Sequence, residues 1–163
     1  MEATNQDNLD RLYALIRDIK FAMLTTVDAT GSLRSRPMTT LKAEPDGHMW
    51  FFTALDAPKV AETRRDEQVN LAYAEPADNC YVSVSGHAQL VLDRAKIHEL
   101  WRPAHKAFFE GPDDPHLALL RVTPADAEYW SSPSNFVTQT ISMVKNILTG
   151  EKPELGENEK LKL

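Results

Sequence analysis

The sequence has 163 residues, one cysteine and a net charge of −6, from 24 acidic and 18 basic side chains. Apolar residues at 42% and charged residues at 26% are ordinary globular values and exclude a wholly disordered chain. The negative charge argues against nucleic acid or an anionic membrane as the main partner, because a phosphate backbone requires a basic surface.

The expected compartment follows from three further features. A single cysteine, Cys80, cannot form an internal disulfide framework and suits a reducing compartment. No apolar run approaches the roughly 20 residues that cross a bilayer, and the N-terminus is polar, unlike a secretory signal. We therefore expect a cytoplasmic protein with no membrane partner.

The first segments predict a helix and then three strands. Leucines, isoleucines and Tyr13 recur at a three-four spacing over about residues 5–19, which predicts an amphipathic helix. Short apolar and β-branched runs follow, separated by turn residues at 28–31 and 45–47. These runs predict strands at 21–27, 33–41 and 48–53.

Two helices are predicted between the later strands. The first begins at Asp56-Ala57-Pro58, with Asp56 as N-cap and Pro58 in the first turn, where its missing N–H costs nothing. The second begins at the cap residue Asp93 and runs to about Phe109. The remaining strands are predicted at 69–74, 81–92 and 117–130, the last with a bend at Pro124.

The C-terminal region predicts one more helix and a tail. A stripe of apolar residues over 137–148 has helical spacing and ends at Gly150 and Pro153. Residues 151–163 are rich in Glu and Lys, so we expect a charged, solvated tail. The chain is then a single domain over residues 1–150, with helices at both ends.

Six predicted strands joined mostly by tight turns favour an antiparallel sheet over alternating βαβ units. Six antiparallel strands avoid exposed edges most simply by closing into a barrel. The predicted class is therefore mainly β with peripheral helices, arranged as a small barrel.

Several common chemistries lack their motifs. The sequence has no Gly-x-Gly-x-x-Gly, no Gly-x4-Gly-Lys-Ser/Thr and no Gly-x-Ser-x-Gly, so nucleotide cradles and hydrolase elbows are not indicated. Five histidines are scattered without ligand spacing, and Cys80 has no cysteine partner. We predict no metal site, and these features leave the catalytic residues unidentified.

A small group of cations stands out in this acidic protein. Arg34 and Arg36 are two residues apart on a predicted strand, and Lys59 lies in the first turn of a predicted helix. Free first-turn N–H groups beside a cation form a good phosphate site, to which Thr53 could add a hydroxyl. The alternative is that these residues are ordinary surface charges.

Aromatic residues are concentrated in two places, Trp50-Phe51-Phe52 and Tyr129-Trp130. Such residues usually fill a core. They would also suit the apolar wall of a site for a flat cofactor. The sequence leaves both interpretations open.

Several short motifs occur in the order and spacing of a known family. The chain resembles the FMN-binding split-barrel proteins of the pyridoxamine 5′-phosphate oxidase superfamily, and most of all the general stress protein 26-like branch. The resemblance covers about residues 8–130. The segments that carry it are 21–26 (Phe-Ala-Met-Leu-Thr-Thr), 35–38 (Ser-Arg-Pro-Met), 50–53 (Trp-Phe-Phe-Thr), 58–59 (Pro-Lys) and 82–86 (Val-Ser-Val-Ser-Gly).

The resemblance implies a six-stranded antiparallel split β-barrel that forms a homodimer and binds FMN at the subunit interface. Arg36 and Lys59 would hold the phosphate, and Trp130 of the partner subunit would lie against the ring. The remaining cofactor contacts would come from Pro37, Met38, Thr39, Phe52 and Thr53.

The chain departs from pyridoxamine phosphate oxidases at two points. Those enzymes usually carry an Arg just before the phosphate-binding lysine, where this chain has Pro58, and they end in an Arg-x-His segment that this chain lacks. The favoured hypothesis is therefore a general stress flavoprotein, a flavin-dependent oxidoreductase of unknown substrate. A non-catalytic FMN-binding stress-response or sensor protein is the main alternative. A third hypothesis is an interaction protein that uses the apolar stripe over 137–148.

Overall fold

The structure is a computed structural model that describes residues 4–132 and 157–163. The predicted helix over 137–148 lies outside these residues. No helix within the two described ranges is both long and apolar enough to cross a membrane. The elements are α1 (Asn5–Ile16), β1 (Phe21–Val27), β2 (Leu33–Thr39), β3 (Lys42–Ala43), β4 (Met49–Ala54), α2 (Pro58–Arg65), β5 (Gln68–Glu75), β6 (Cys80–Val91), α3 (Arg94–Leu100), β7 (Leu117–Ser131) and β8 (Glu157–Lys162).

All described strands pair antiparallel in one sheet of order β2-β1-β5-β6-β7-β4-β3, with β8 also beside β7. The sheet curls, so that β2 contacts β4 although four strands separate them in the sheet order. The predicted mainly β, antiparallel class with peripheral helices is confirmed. The strand count rises from the predicted six to eight because β3 and β8 join the sheet.

The core forms on the concave face of this sheet because the strands alternate apolar and polar residues. On β5, Val69, Leu71 and Tyr73 are buried and the residues between them are more exposed. Helix α1 covers the same core with Leu12 and Ile16. Helix α3 packs on the opposite side of β4 and β7, where a second core cluster contains Trp50, Ile97, Leu100, Leu117 and Leu119.

A bulge in β7 divides this long strand between two partners. Opposite β6, Ser85 pairs with Asp126 and Gly86 with Pro124, so Ala125 is the extra residue. The irregularity falls where the sequence predicts a bend. Residues 117–122 of β7 pair with β4, whereas residues 126–131 pair with β8.

Prolines set two helix boundaries differently from the predictions. Asp56 is not the N-cap of α2; Ala57 takes that position, and no side chain caps it. A residue before proline favours extended backbone, and Ala57 before Pro58 has φ −65° and ψ 138°. The predicted helix to Phe109 ends at Leu100, because Arg102 is extended before Pro103 and a short 3-10 helix follows. Helix α1 also ends earlier than predicted, at Ile16 rather than residue 19, although no proline follows it there.

The predicted solvated tail is wrong for residues 157–162, which form β8. Leu161 is 2% exposed and belongs to the main core cluster. Arg11 of α1 bonds the hydroxyl of Tyr129 and pairs with Glu157 and Glu159 of β8. The reason is that the C-terminal half of β7 lacks β4 as a neighbour, and β8 pairs with its unsatisfied backbone groups.

Replacing Leu161 should show that β8 contributes to stability. Leu161→Ala is expected to lower the free energy of unfolding by about 2–4 kcal/mol, because it removes fully buried methyl groups. Lys160→Ala, at the exposed neighbouring position, should change it by less than about 0.5 kcal/mol. Urea unfolding measures both, and equal midpoints for the two variants would show that β8 is not docked.

Candidate functional site

Arg36 lies at the point where β1, β2 and α2 meet. Its Nη1 donates to Thr26 Oγ1 at 2.5 Å, and its Nη2 donates to Glu62 Oε2 at 2.7 Å. Thr26 Oγ1 also donates to the same Glu62 oxygen at 2.6 Å. The Arg36 and Glu62 side chains are 22% and 12% exposed, so water screens the pair weakly.

The guanidinium of Arg36 keeps donors free for a ligand. A guanidinium has five N–H donors. One Nη2–H bonds Glu62, and the two Nη1–H groups face Thr26 and, at 3.5 Å, the carbonyl of Leu24. Nε–H and one Nη2–H therefore have no partner among the described residues, and this pair of donors suits an oxyanion.

Lys59, in the first turn of α2, is the second cation of this site. Its side chain is half-buried and forms no hydrogen bond or ion pair with any described residue. Burial lowers the pKa of Lys59 and the nearby charge of Arg36 lowers it further, while Glu62 opposes both effects. A cation without a partner, next to another cation, favours an anionic ligand.

The N-terminus of α2 also favours an anionic ligand. Ala57 provides no side-chain cap, and Pro58 has no N–H to offer. The first-turn N–H of Lys59 has no helical acceptor, whereas the N–H of Val60 bonds the Ala57 carbonyl. The geometry therefore brings two cations and an uncapped helix end together, as a phosphate site requires.

Arg34, the other arginine predicted on this strand, does not join the site. Its side chain is 61% exposed, and Nε pairs with Asp28 Oδ2 at 2.8 Å in the β1–β2 turn. The interpretation of Arg34 as an ordinary surface charge is therefore confirmed.

The residues that follow Arg36 alternate between the two faces of β2. Met38 is buried in the main core, whereas Pro37 and Thr39 are exposed on the outer face. Pro37 pairs with Met23 and Thr39 with Phe21 on β1. The outer face of β2 therefore offers Pro37 and Thr39 to a ligand, and Met38 can contribute only backbone groups there.

Phe52 and Thr53, adjacent on β4, lie in different environments. Thr53 is buried, and its hydroxyl donates weakly to the Ala54 carbonyl at 3.3 Å. The Phe52 ring belongs to an aromatic cluster with His105 at 4.8 Å, Trp101 at 5.9 Å and Phe109 at 6.2 Å between centroids. Their roles toward a ligand stay predictions.

Trp130 and Arg36 lie on strands that are not neighbours in the sheet. In one direction β7 lies four inter-strand steps from β2, which is roughly 19 Å along the curled sheet at about 4.8 Å per step. In the other direction β4 pairs with β7 only up to Val122, which is eight residues before Trp130, or roughly 26 Å along the strand. Within one chain, Trp130 is therefore not a neighbour of β2 in the sheet.

The outer face of the sheet exposes large apolar side chains. Those on β1, β6 and β7 are 41–54% exposed, and Leu33 at the start of β2 is 72% exposed. Tyr81 and Trp130 are direct neighbours across β6 and β7. This set, which we call the apolar face, contains Phe21, Met23, Leu33, Tyr81 and Trp130. Exposed apolar groups of this kind indicate an interaction surface.

A cavity next to Thr39 contains residues that the sequence did not indicate. It has a volume of about 420 Å³ and is lined in part by Thr39, Thr40, Lys42, Arg102 and His105. The Arg102 backbone N–H donates to His105 Nδ1 at 2.9 Å, so Nε2 carries the imidazole proton. Burial lowers the pKa of His105, which keeps the ring neutral near pH 7.

Glu62 and Thr26 were also missed by sequence reasoning. Their spacing in the sequence does indicate which face of an element they share with a neighbour. Glu62 follows Lys59 by three residues on a helix, and Thr26 follows Leu24 by two on a strand. Those spacings give the face of each element but not the docking of α2 on β1. The same holds for His105, which approaches Thr39 only through the fold.

A second charged cluster surrounds Glu44. Its carboxylate accepts from Lys96 at 2.5 Å and from the Trp50 indole at 2.8 Å, and it pairs with Lys42 at 3.2 Å. One ligand atom each of Glu44, Asp46 and His48 lies within 4.8 Å of the others. Because the oxygens of Glu44 already have cationic and N–H partners, we assign no metal to this group.

The Glu44 cluster gives a pH-dependent prediction. Its partners, Lys96 first, lower the pKa of Glu44 to about 2, so its stabilising effect is full above about pH 4.5 and is lost as pH falls toward 2. Glu44→Gln should lower the free energy of unfolding by about 1–3 kcal/mol at pH 7. Unfolding series should show this difference shrinking between about pH 4.5 and 2. A difference that is constant over this range would contradict the assignment.

Comparisons with known proteins identify the family. Residues 7–154 match the family described as pyridoxamine 5′-phosphate oxidase like, and the chain belongs to it. The chain is 29% identical over 161 residues to Protein bli-3 of Neurospora crassa, covering 92% of this chain and 77% of that protein. It is 29% identical over 125 residues to general stress protein 26 of Bacillus subtilis, covering 68% of this chain and 86% of that protein.

Solved structures agree with the fold. A Jannaschia sp. CCS1 protein described as a general stress protein 26 superposes with a TM-score of 0.74 at 24% identity, over 97% of this chain and 95% of that one. The general stress FMN/FAD binding protein of Xanthomonas citri has a TM-score of 0.69 at 28% identity, over 80% of this chain and 93% of that one. The predicted split-barrel fold and the resemblance to general stress protein 26 are confirmed.

Proposed function

We propose that the chain is a flavoprotein that binds FMN with its phosphate at Arg36 and Lys59. The observation that carries the proposal is the half-buried Lys59 amine near two donors of Arg36, none of which has a partner among residues 4–132 and 157–163. These residues fit a phosphate group in charge and in hydrogen-bonding capacity. The FMN/FAD binding described for the Xanthomonas citri relative supports a flavin as the ligand.

The remaining cofactor contacts follow the strand. Backbone groups of Met38 and the exposed Pro37 and Thr39 would lie along the flavin. Phe52 and Thr53 of β4 would support it from the side. When bound, FMN would supply hydride or electron transfer, while the protein would supply binding, orientation and electrostatics.

We further propose a homodimer with FMN at the subunit interface. Trp130 of the partner subunit would complete the site, since Trp130 of the same chain is not a neighbour of β2 in the sheet. The apolar face contains Trp130 and supports this arrangement, since a second copy of the chain could bury it.

The proposed activity is that of a flavin-dependent oxidoreductase of the general stress type, with the cytoplasm as its location. Oxidation of pyridoxamine phosphate is disfavoured by Pro58, which stands where those enzymes usually carry an arginine. The alternative is a non-catalytic FMN-binding protein that acts as a stress-response or sensor module.

Two measurements on the purified full-length chain test the proposal. Its absorbance spectrum should show the visible bands of bound flavin, whereas an apoprotein that takes up no FMN on titration would overturn the proposal. Oxidation of NADH or NADPH that is faster than with free FMN supports the oxidoreductase. Saturable FMN binding without such turnover supports the non-catalytic alternative.

A further inference from the structure

Glu62 is an anion inside the proposed phosphate site, and the described part of the chain places no other acid on Arg36. It lies one helical turn after Lys59, and its Oε2 accepts hydrogen bonds from both Arg36 and Thr26, at 2.7 and 2.6 Å. The side chain is only 12% exposed, so its charge acts on the site with little screening by water. Nothing in the proposed binding of FMN explains why an acid should lie there.

The charge of the site is therefore smaller than its two cations suggest. Arg36 and Lys59 contribute two positive charges and Glu62 removes one, which leaves a net charge of about +1. A phosphate monoester carries nearly two negative charges above about pH 7 and only one well below its second pKa of about 6. A phosphodiester carries one negative charge in both ranges.

We propose that Glu62 is a specificity-determining residue that weakens phosphate binding, a dianion more than a monoanion, and so reduces the preference of this site for a doubly charged phosphate. The inference rests on the proposed function, because it concerns the same phosphate site. Its ligand class is a flavin that carries a phosphate monoester or a phosphodiester. The site keeps a net positive charge, so the dianion of FMN would still bind, but less tightly than without Glu62.

Few charged groups surround Glu62 among the described residues. The charged side chains that face it are Arg36 from β2 and Lys59 from its own helix. From β1 it meets the uncharged hydroxyl of Thr26. Among the described residues, no charged group of β6, which also packs on α2, lies within ion-pair distance of Glu62.

Glu62→Gln separates the charge of this residue from its shape. The amide keeps an oxygen that can accept from Arg36, so the guanidinium stays in position while the negative charge is lost. A residue that served only to position Arg36 would make this variant bind FMN equally well or worse. The charge role predicts the opposite result.

Titration at about pH 8 with FMN and with riboflavin, which has no phosphate, gives the first test. We expect Glu62→Gln to bind FMN about tenfold more tightly than the wild type and riboflavin equally well. Asp18→Asn makes the same change in net charge at a side chain that is 88% exposed, and it should leave both affinities unchanged. An unchanged or weakened FMN affinity in Glu62→Gln would overturn the inference.

The pH profile gives a readout that a purely structural role would not change. In the wild type, the affinity for FMN relative to riboflavin should fall only slightly from about pH 8 to pH 5.5, as the phosphate takes up a proton and the weakly positive site loses part of its attraction. In Glu62→Gln, whose site carries one more net positive charge, this fall should be several-fold larger. Identical profiles for the two proteins would contradict the charge role.

Inorganic phosphate separates this inference from the proposed function. At about pH 8, millimolar phosphate should raise the melting temperature of Glu62→Gln more than that of the wild type. This difference without flavin binding would overturn the proposed function and support the role of Glu62. Saturable flavin binding without any effect of Glu62→Gln would support the proposed function and overturn the role of Glu62. No response of either protein to flavin or phosphate would overturn both.

Discussion

Lys59→Ala is expected to weaken FMN binding by about 10- to 100-fold while changing riboflavin binding by less than about twofold. The reason is that a hydrogen bond to a charged group contributes about 1.5–3 kcal/mol, and Lys59 would act only through the phosphate. The variant should fold normally, because the amine has no partner among the described residues that would be left unsatisfied. Fluorescence titration with both ligands measures the two affinities.

Lys160→Ala serves as the matched control for this prediction. It removes the same charge from the exposed side of β8 and should change neither affinity. Arg36→Ala would be a weaker test, because it leaves the nearly buried Glu62 carboxylate without its cation and destabilises the fold as well. Equal losses of FMN and riboflavin affinity in Lys59→Ala would show that Lys59 does not contact the phosphate.

Gly86→Ala is expected to lower the free energy of unfolding by about 3–5 kcal/mol, or to prevent folding. A Cβ at this position would lie 2.4 Å from the Thr123 carbonyl oxygen and 3.0 Å from Pro124 Cα. Both atoms belong to backbone at the bulge between β6 and β7, so the strands would have to separate. Urea unfolding with the tryptophans as probes measures the loss.

Gly111→Ala is the matched glycine control. Apart from its chain neighbours, no described residue has an atom within 4 Å of a Cβ built at Gly111, so the substitution should be neutral or should stabilise the chain by up to about 1 kcal/mol. An unfolding midpoint of Gly86→Ala equal to that of Gly111→Ala would contradict the close approach of β6 and β7.

The strands were the part of the fold that the sequence predicted well. The run over 21–27 combines alternating burial, β-branched residues and a following turn, and the strand occupies the same residues. The helix boundaries were less predictable, because the extended residues before Pro58 and Pro103 decided them. Strand β8 was missed because its local composition is that of a solvated segment, and contacts with distant parts of the chain, β7 and α1 among them, stabilise it.

The candidate site was predictable only where a motif marked it. Arg36 and Lys59 were indicated by their order along the chain and by the chemistry of phosphate binding. Glu62 and Thr26 were not, because the docking of α2 on the sheet brings them to Arg36. For the aromatic triplet, the core-filling interpretation holds for the buried Trp50 and Phe51, whereas the half-buried Phe52 lies in the cluster around His105.

Titration of the purified wild-type chain with FMN and riboflavin tests the central claim most directly. The phosphate site at Arg36 and Lys59 predicts saturable binding of one FMN per chain, with riboflavin at least about tenfold weaker. Equal affinity for the two ligands, or no saturable binding of FMN, would contradict the assignment of this site to the cofactor phosphate.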